Sequence, residues 1–364
     1  MKIKEGRVYI YYAFDIASEI QLERLEKVFG RKPVESQIKY TRLTPRYVQY
    51  AQPPYLVTVG EKQVELNSQN KQTFKITAKL YDFGVVSLRF SLVYSGTFDD
   101  LISLSNSVSE NEALEKEAIK QIDRIKKEIS DVLVKPKEHY SYEDYNIFVV
   151  KEFDKKVNVN EIADQYGHKI AAVLRAETEP LSEAKIKDTI KSPISYFNDD
   201  VVFVDWNAAF ICDPRDSLDT LEVLEYANIE LLEMRTYDDL LDKEIEIAYD
   251  KVSPSKLGWS AIALDPFSRT INRLEEVKLD VTQVIERVEN ALKLVGEPYL
   301  ARIYNAASDS FRLNQWKEGL KDKMDIIEGF YSTAVNRIQT VRMLILETLI
   351  VLLFILDIAV YLVE

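Results

Sequence analysis

With 364 residues, 46% of them hydrophobic and only 10 Gly and 11 Pro, the chain has the apolar mass for packed domains and is neither disordered nor fibrous. A net charge of -13 opposes a general nucleic-acid surface, and the basic runs Lys116–Lys127 and Lys135–Lys137 are interleaved with or followed by acids, so nucleic acid is not an expected partner. The single cysteine, Cys212, excludes an intrachain disulfide, and the two histidines, His139 and His168, leave almost nothing for a zinc site.

The opening Met1-Lys2-Ile3-Lys4 leads into a strand-like segment without the apolar core of a signal peptide, so this start is expected in the cytoplasm. Val8–Ala13 reads as a strand, and Ser18 as the N-cap of a helix through Phe29 that Gly30 ends. Extended structure is expected at Tyr55–Val59, Phe74–Leu80 and Val85–Tyr94, the last two joined by the turn-like Asp82-Phe83-Gly84. Thr97 is placed to cap a helix through Leu104, and a charged helix is expected over Asn111–Leu133. Tyr145–Glu152 reads as a strand, Asn160–Ala176 and Ser182–Lys191 as helices with a bend at His168, and Val201–Asp205 as a strand. The fold class that follows is α+β, a mixed α/β head over 1–256 built from two similar halves, 1–105 and 140–256.

Helical periodicity dominates the rest. Leu218–Val252 carries a helical apolar stripe. Leu274, Val277, Val281, Val284, Val288, Ala291 and Val295 follow the alternating steps of three and four of a coiled-coil seam, which Gly296-Glu297-Pro298 interrupts. A second seam runs through Leu320, Met324, Ile327, Tyr331, Ala334, Ile338, Val341 and Ile345 and keeps its register through Thr348, Leu352, Ile355 and Ala359. Residues 257–342 are therefore expected to form an antiparallel coiled-coil hairpin, with subunit-to-subunit packing on top of it.

Met343–Val363 is about 31 Å long as a helix, close to one hydrocarbon thickness. Fifteen of its residues are Leu, Ile, Val or Phe, which favour insertion by roughly 5 to 9 kcal/mol. Its acids, Glu347 and Asp357, oppose by at most about 7 kcal/mol, and neither lies at the centre. Arg337 and Arg342 precede the span, which places the head in the cytoplasm and the protein in the inner membrane as a single-pass chain. Acids inside a span are candidates for assembly or function.

The densest polar region is residues 199–214 and the helix after it. Asp205-Trp206-Asn207 reads as a turn between two strands, and Cys212, after the apolar Ala208–Ile211, as a buried inert thiol. Asp238 and Asp242, one helical turn apart, suit either oxygen ligation of a divalent cation or pairing with Arg235 or a basic residue of another helix, and pairing is the stronger reading. No phosphate loop, dinucleotide fingerprint, nucleophile elbow or zinc-protease motif is present, so catalytic, cofactor and metal residues are not assigned.

The Asp205-Trp206-Asn207 strand, then Leu-Glu-x-Ala-Asn and Leu-Leu-Glu-x-Arg-x-Tyr-Asp-x-Leu-Leu-Asp, resembles the required-for-meiotic-nuclear-division family over about 200–364. Glu225, Asn228, Glu233, Arg235, Tyr237, Asp238 and Asp242 fill those places. Arg342, Leu346-Glu347 and Asp357 match its closing single span, with Thr348 where a Trp is usual. The resemblance implies a membrane protein that assembles into large complexes, without established catalytic residues, and here a bacterial member. The function expected is a tail-anchored homo-oligomeric scaffold or regulator, not an enzyme, whose partners are itself, the bilayer and an unknown protein. The alternative is an ion-conducting or ion-sensing assembly like the CorA magnesium transporters. Candidate assembly or functional residues are Asp205, Asn207, Glu225, Asn228, Glu233, Arg235, Asp238, Asp242, Glu347 and Asp357.

Overall fold

The computed structural model describes residues 1–29, 53–67, 70–155, 159–215, 217–252, 275–286 and 297–363. The chain forms two compact units, Met1–Glu233 with Val288–Asn314 and Met234–Arg287 with Gln315–Glu364.

The first unit is built on one seven-stranded sheet. Its strands are β1 (Lys2–Asp15), β3 (Tyr55–Asn67), β4 (Asn70–Leu80), β5 (Val85–Thr97), β7 (Tyr142–Phe153), β8 (Val201–Val204) and β9 (Ala208–Cys212). The order is β3-β4-β5-β1-β7-β9-β8, so strands from both expected halves of the head share one sheet. Neighbours are antiparallel except β7 and β9, whose parallel pairing requires the crossover that α4 (Val159–Arg175) provides. A small second sheet joins β2 (Ala17–Ile20) to β6 (Leu133–Pro136).

β1 lies in the middle and is buried on both faces from Val8 onward. Val8, Ile10, Tyr12 and Phe14 point to the main core with Phe74, Ile76 and Phe90, and α2 (Phe98–Val108), α3 (Glu112–Glu128) and α4 close it through Leu101, Ile122 and Ile170. Phe98 stacks on Tyr166 at 5.6 Å between ring centroids. The alternate residues Tyr9, Tyr11 and Ala13 face the other side. There α6 (Leu218–Val252) places Ile229 and Leu232 against Ala13, Tyr81 and Val85, and α8 (Pro298–Phe311) sets Phe311 against Tyr145.

Local signals set most boundaries. Thr97 forms a capping box with Asp100, Asn111 accepts from the amides of Ala113 and Leu114, and Ser182 caps α5 (Glu183–Thr189). Asp82-Phe83-Gly84 does join β4 to β5, with Gly84 at φ +89, and a Cβ there would lie 1.9 Å from the Ala17 carbonyl oxygen. Three expectations are corrected. Helix α1 spans Leu22–Phe29 only, because Ala17–Ile20 pairs with β6, so sheet pairing overrides the capping signal of Ser18. The charged helix stops at Glu128, followed by a 3-10 turn at Ser130–Val132 and β6, with Lys135 at positive φ. His168 lies in unbroken helix.

The second unit is helical. It holds α6 from Met234 onward, α7 (residues 275–286) and α9 (Leu313–Val363) from Gln315 onward. Val277, Val281 and Val284 of the first seam are buried, as are Leu320, Met324, Ile327 and Tyr331 of the second. Leu274, Val288, Ala291 and Val295 lie outside the described residues. Lys278 of α7 pairs with Glu328 of α9. The pairing that the periodicity does not announce is α6 along α9. Arg235 lies over the Trp316 ring at 5.6 Å, Asp242 pairs with Lys323 at 2.6 Å, and the Tyr249 and Phe330 rings stand 6.5 Å apart. These contacts advance seven residues at a time along both helices in the same sense, so α6 and α9 run parallel with heptad spacing. Past them, Arg342–Leu362 has a mean hydropathy of 2.7 and no buried residue, long and apolar enough to cross a membrane.

Candidate functional site

The helix-covered face opposite the main core is polar at its centre. Cross-strand register puts Tyr11 beside Arg89 and Arg89 beside Thr77, and the next row holds Ala13, Ser87 and Lys79. From above, the first half of α6 brings Glu222 and Glu225, one turn apart, onto Lys79. The Lys79 ammonium donates to Glu225 Oε2 at 2.7 Å and to Glu222 Oε1. Lys79 is 7% exposed and Glu225 2%. The Arg89 guanidinium stands 5.7 Å from the centre of the Tyr9 ring. On the α8 side, the Tyr304 hydroxyl donates to Glu230 Oε2 at 2.7 Å.

Burial by itself pushes the Lys79 ammonium down, yet Glu225 and Glu222 outweigh it and its pKa lies above the ordinary value. Arg89 is likewise raised, because the neighbouring tyrosine and carboxylates exceed its burial penalty. Burial holds the Tyr11 and Tyr304 hydroxyls protonated well beyond their usual range. The cluster thus sets Lys79 and Arg89 against Glu222 and Glu225. Its lysine is an ammonium and not a free amine, which suits it to clamp a polar helix onto a sheet and not to attack a carbonyl.

The sequence candidates fall in four places. Glu225, Asn228 and Glu233 lie on α6 within the first unit, all buried, and Glu225 joins the cluster. Arg235, Asp238 and Asp242 lie in the second unit, where Lys323 bridges Asp238 and Asp242 at 2.6 Å each, so the carboxylate pair is held by a basic residue of another helix. Glu347 and Asp357 are exposed on the apolar end of α9.

Asp205 and Asn207 sit at the β8–β9 hairpin. The Asp205 amide donates to the Ala208 carbonyl at 2.9 Å, and the Asn207 carbonyl accepts from the Asn146 amide at 3.2 Å, fixing the turn beside β7. Asp205 takes Arg175 in a two-pronged pair, 2.7 Å to Nε and 3.1 Å to Nη2, and burial still raises its carboxyl above the ordinary value. Nearby, Arg215 gathers Asp199, Asp200 and Asp213 and stacks 4.1 Å over the Phe197 ring. Cys212 is buried, and burial pushes its thiol up to about 12. Among the described residues no group of three His, Cys, Asp or Glu is placed to hold a metal ion. A pocket of about 200 Å³ opens between β3 and α3, beside Tyr55–Val59 and Gln121, and no residue singled out from the sequence lines it.

Lys79, Arg89, Tyr11 and Glu222 were not legible as a group. The available signal was a lysine and an arginine at strand positions whose neighbours, Ala78, Leu80, Leu88 and Phe90, are fully buried: a cation there needs a partner.

Among curated proteins, the chain is 25% identical to the uncharacterized protein MJ0711 of the archaeon Methanocaldococcus jannaschii over 190 residues, 52% of this chain and 57% of the relative. The chain thus matches little more than half the length of that relative. No solved structure matches it. The matched family range reaches from β1 to the first turn of α6, taking in Tyr11, Lys79 and Arg89 and stopping just short of Glu222. Through its residues 5–219 the chain belongs to the family described as uncharacterized protein MJ0711, N-terminal domain.

Proposed function

We propose that this protein is a tail-anchored, homo-oligomeric scaffold or regulator on the cytoplasmic face of the inner membrane, allied to the required-for-meiotic-nuclear-division family, and that its head is not an enzyme. One observation carries the reading: over Arg342–Leu362 every residue is unburied, while the window has a mean hydropathy of 2.7. Leu349, Leu352, Leu353, Phe354 and Leu356 are each more than half exposed. A continuous apolar surface of this extent is stable only when lipid or another chain removes it from water. Arg342 at its leading edge supports an orientation with the head on the cytoplasmic side.

The clamp around Lys79 supports a structural role for the head, since its ammonium is already held by Glu222 and Glu225. Self-association is supported by apolar side chains left exposed beside the buried seams, Leu279 on α7 and Ile326 on α9. The wider family alliance rests on the pattern from Asp205 through Asp242 and on the Leu346-Glu347 span.

Vesicle flotation tests the reading. The full chain is expected to float with phospholipid vesicles and resist alkaline extraction, and a chain lacking 343–364 to stay in the dense fraction. In detergent its mass is expected at a multiple of 42.1 kDa. A full-length chain that stays in the aqueous fraction as a monomer refutes the proposal.

A further inference from the structure

The apolar end of α9 has two unlike sides. Glu347, Ile350, Phe354, Asp357 and Tyr361 follow steps of three and four, the spacing of residues that meet a neighbouring helix. Every one of them is exposed. The seam that is buried at Leu320, Met324, Ile327 and Tyr331 reaches this end through Ile345, Leu352 and Ala359, about 160° around the helix from the acid stripe. A neighbour that continues the seam therefore does not cover the acids.

The acids are placed symmetrically. Leu352 is the midpoint of Arg342–Leu362, with Glu347 and Asp357 five residues to either side. Each thus stands about 7 Å from the centre of a layer about 30 Å thick, too deep for a short carboxyl side chain to reach water. The two are about 15 Å apart along the axis and about 80° apart around it, so a single crossing helix reaches both. Residues 343–363 contain no Lys, Arg or His. Thr348, next to Glu347, already donates to the Leu344 carbonyl at 2.7 Å.

Resting on the membrane reading above, we infer that the Glu347–Asp357 stripe docks a transmembrane helix of another protein that carries Lys or Arg at the matching depths. The chemistry selects the occupant. Lipid offers no hydrogen-bond donor at these depths. A second copy of this chain, parallel or antiparallel, brings acid against acid, because the two acids are equidistant from the midpoint. A basic helix supplies the opposite charge and the donors.

The test uses the full chain with a dye on Glu364→Cys, Cys212 being buried, reconstituted in phosphatidylcholine vesicles. The probes are two acceptor-labelled synthetic spans, one of Leu and Ala only and one with Lys at two positions 15 Å apart, a spacing of about ten residues. The Lys span is expected to give roughly tenfold stronger association by energy transfer than the apolar one. Glu347→Gln with Asp357→Asn is expected to abolish that difference while the protein still floats with vesicles, and Glu347→Lys with Asp357→Lys to shift the preference to a span carrying Asp. Equal transfer to both spans, or a Lys preference that survives the double neutral variant, overturns the inference. So does acid-dependent transfer between copies of the protein that the Lys span fails to compete away. A chain that does not float at all defeats the membrane reading first.

Discussion

Two helical segments of this protein invert the usual rule in opposite ways. The first half of α6 is rich in charge and is buried on nearly every side, with Glu225, Asn228, Glu230 and Glu233 each under 5% exposed. The end of α9 is almost wholly apolar and is exposed on every side. The difference lies in where the compensation comes from. For α6 it is inside the fold: Lys79 of β4 meets Glu222 and Glu225, and Tyr304 of α8 meets Glu230. For α9 nothing among the described residues covers the surface; lipid or another chain is the proposed compensation.

The largest effect expected from breaking this contrast is on the apolar side. Deleting 343–364 should lower the vesicle-bound fraction by at least roughly tenfold while leaving the thermal transition of the head in place, read by flotation and by circular dichroism. On the polar side, Lys79→Met strands two carboxylates in a dry site and should destabilise the head by about 3–5 kcal/mol in urea titration. Adding Glu222→Gln and Glu225→Gln to it should recover most of that loss, since the uncompensated charge is then gone. A triple variant as unstable as the single one would mean that the clamp stabilises by shape and not by charge.

Smaller effects sharpen the comparison. Gly84→Ala drives a Cβ into the Ala17 carbonyl at a positive φ and should cost about 2–4 kcal/mol with no effect on flotation. In the second unit, Lys323→Ala removes a partly exposed bridge and should cost about 0.5–1 kcal/mol, less in high salt. The pH profile probes the buried pair. The folded-state pKa of Lys79 is raised, so its contribution is fully present below the ordinary value of 10.5 and is lost as pH rises through the raised one. Wild type should lose thermal stability above that pH more steeply than Lys79→Met, as followed by melting temperature.

Much of this architecture was legible along the chain. Caps with a side-chain acceptor at a helix start, Thr97, Asn111 and Ser182, mark real helix ends because their bonds are local. The heptad stripe of α9 and its apolar end are equally plain, since a period or a run of one polarity is written in neighbouring residues. Failures came where partners are distant. Ser18 has the chemistry of a cap but lies in a strand, because Leu133–Pro136 pairs with it across more than a hundred residues.

The sequence by itself determined that Glu347 and Asp357 stand in an apolar helix, where each lies along it and on which side, because a single regular helix converts spacing directly into geometry. It also singled out Glu225, Asp238 and Asp242. What only the tertiary structure decided is what those acids meet. Lys79 reaches Glu225 from 146 positions away, and Lys323 reaches Asp238 from 85. Such pairings depend on how strands order themselves in a sheet and which helices lie side by side. No local pattern carries that information, because a charged side chain is the same letter whether solvent or a buried counter-charge faces it.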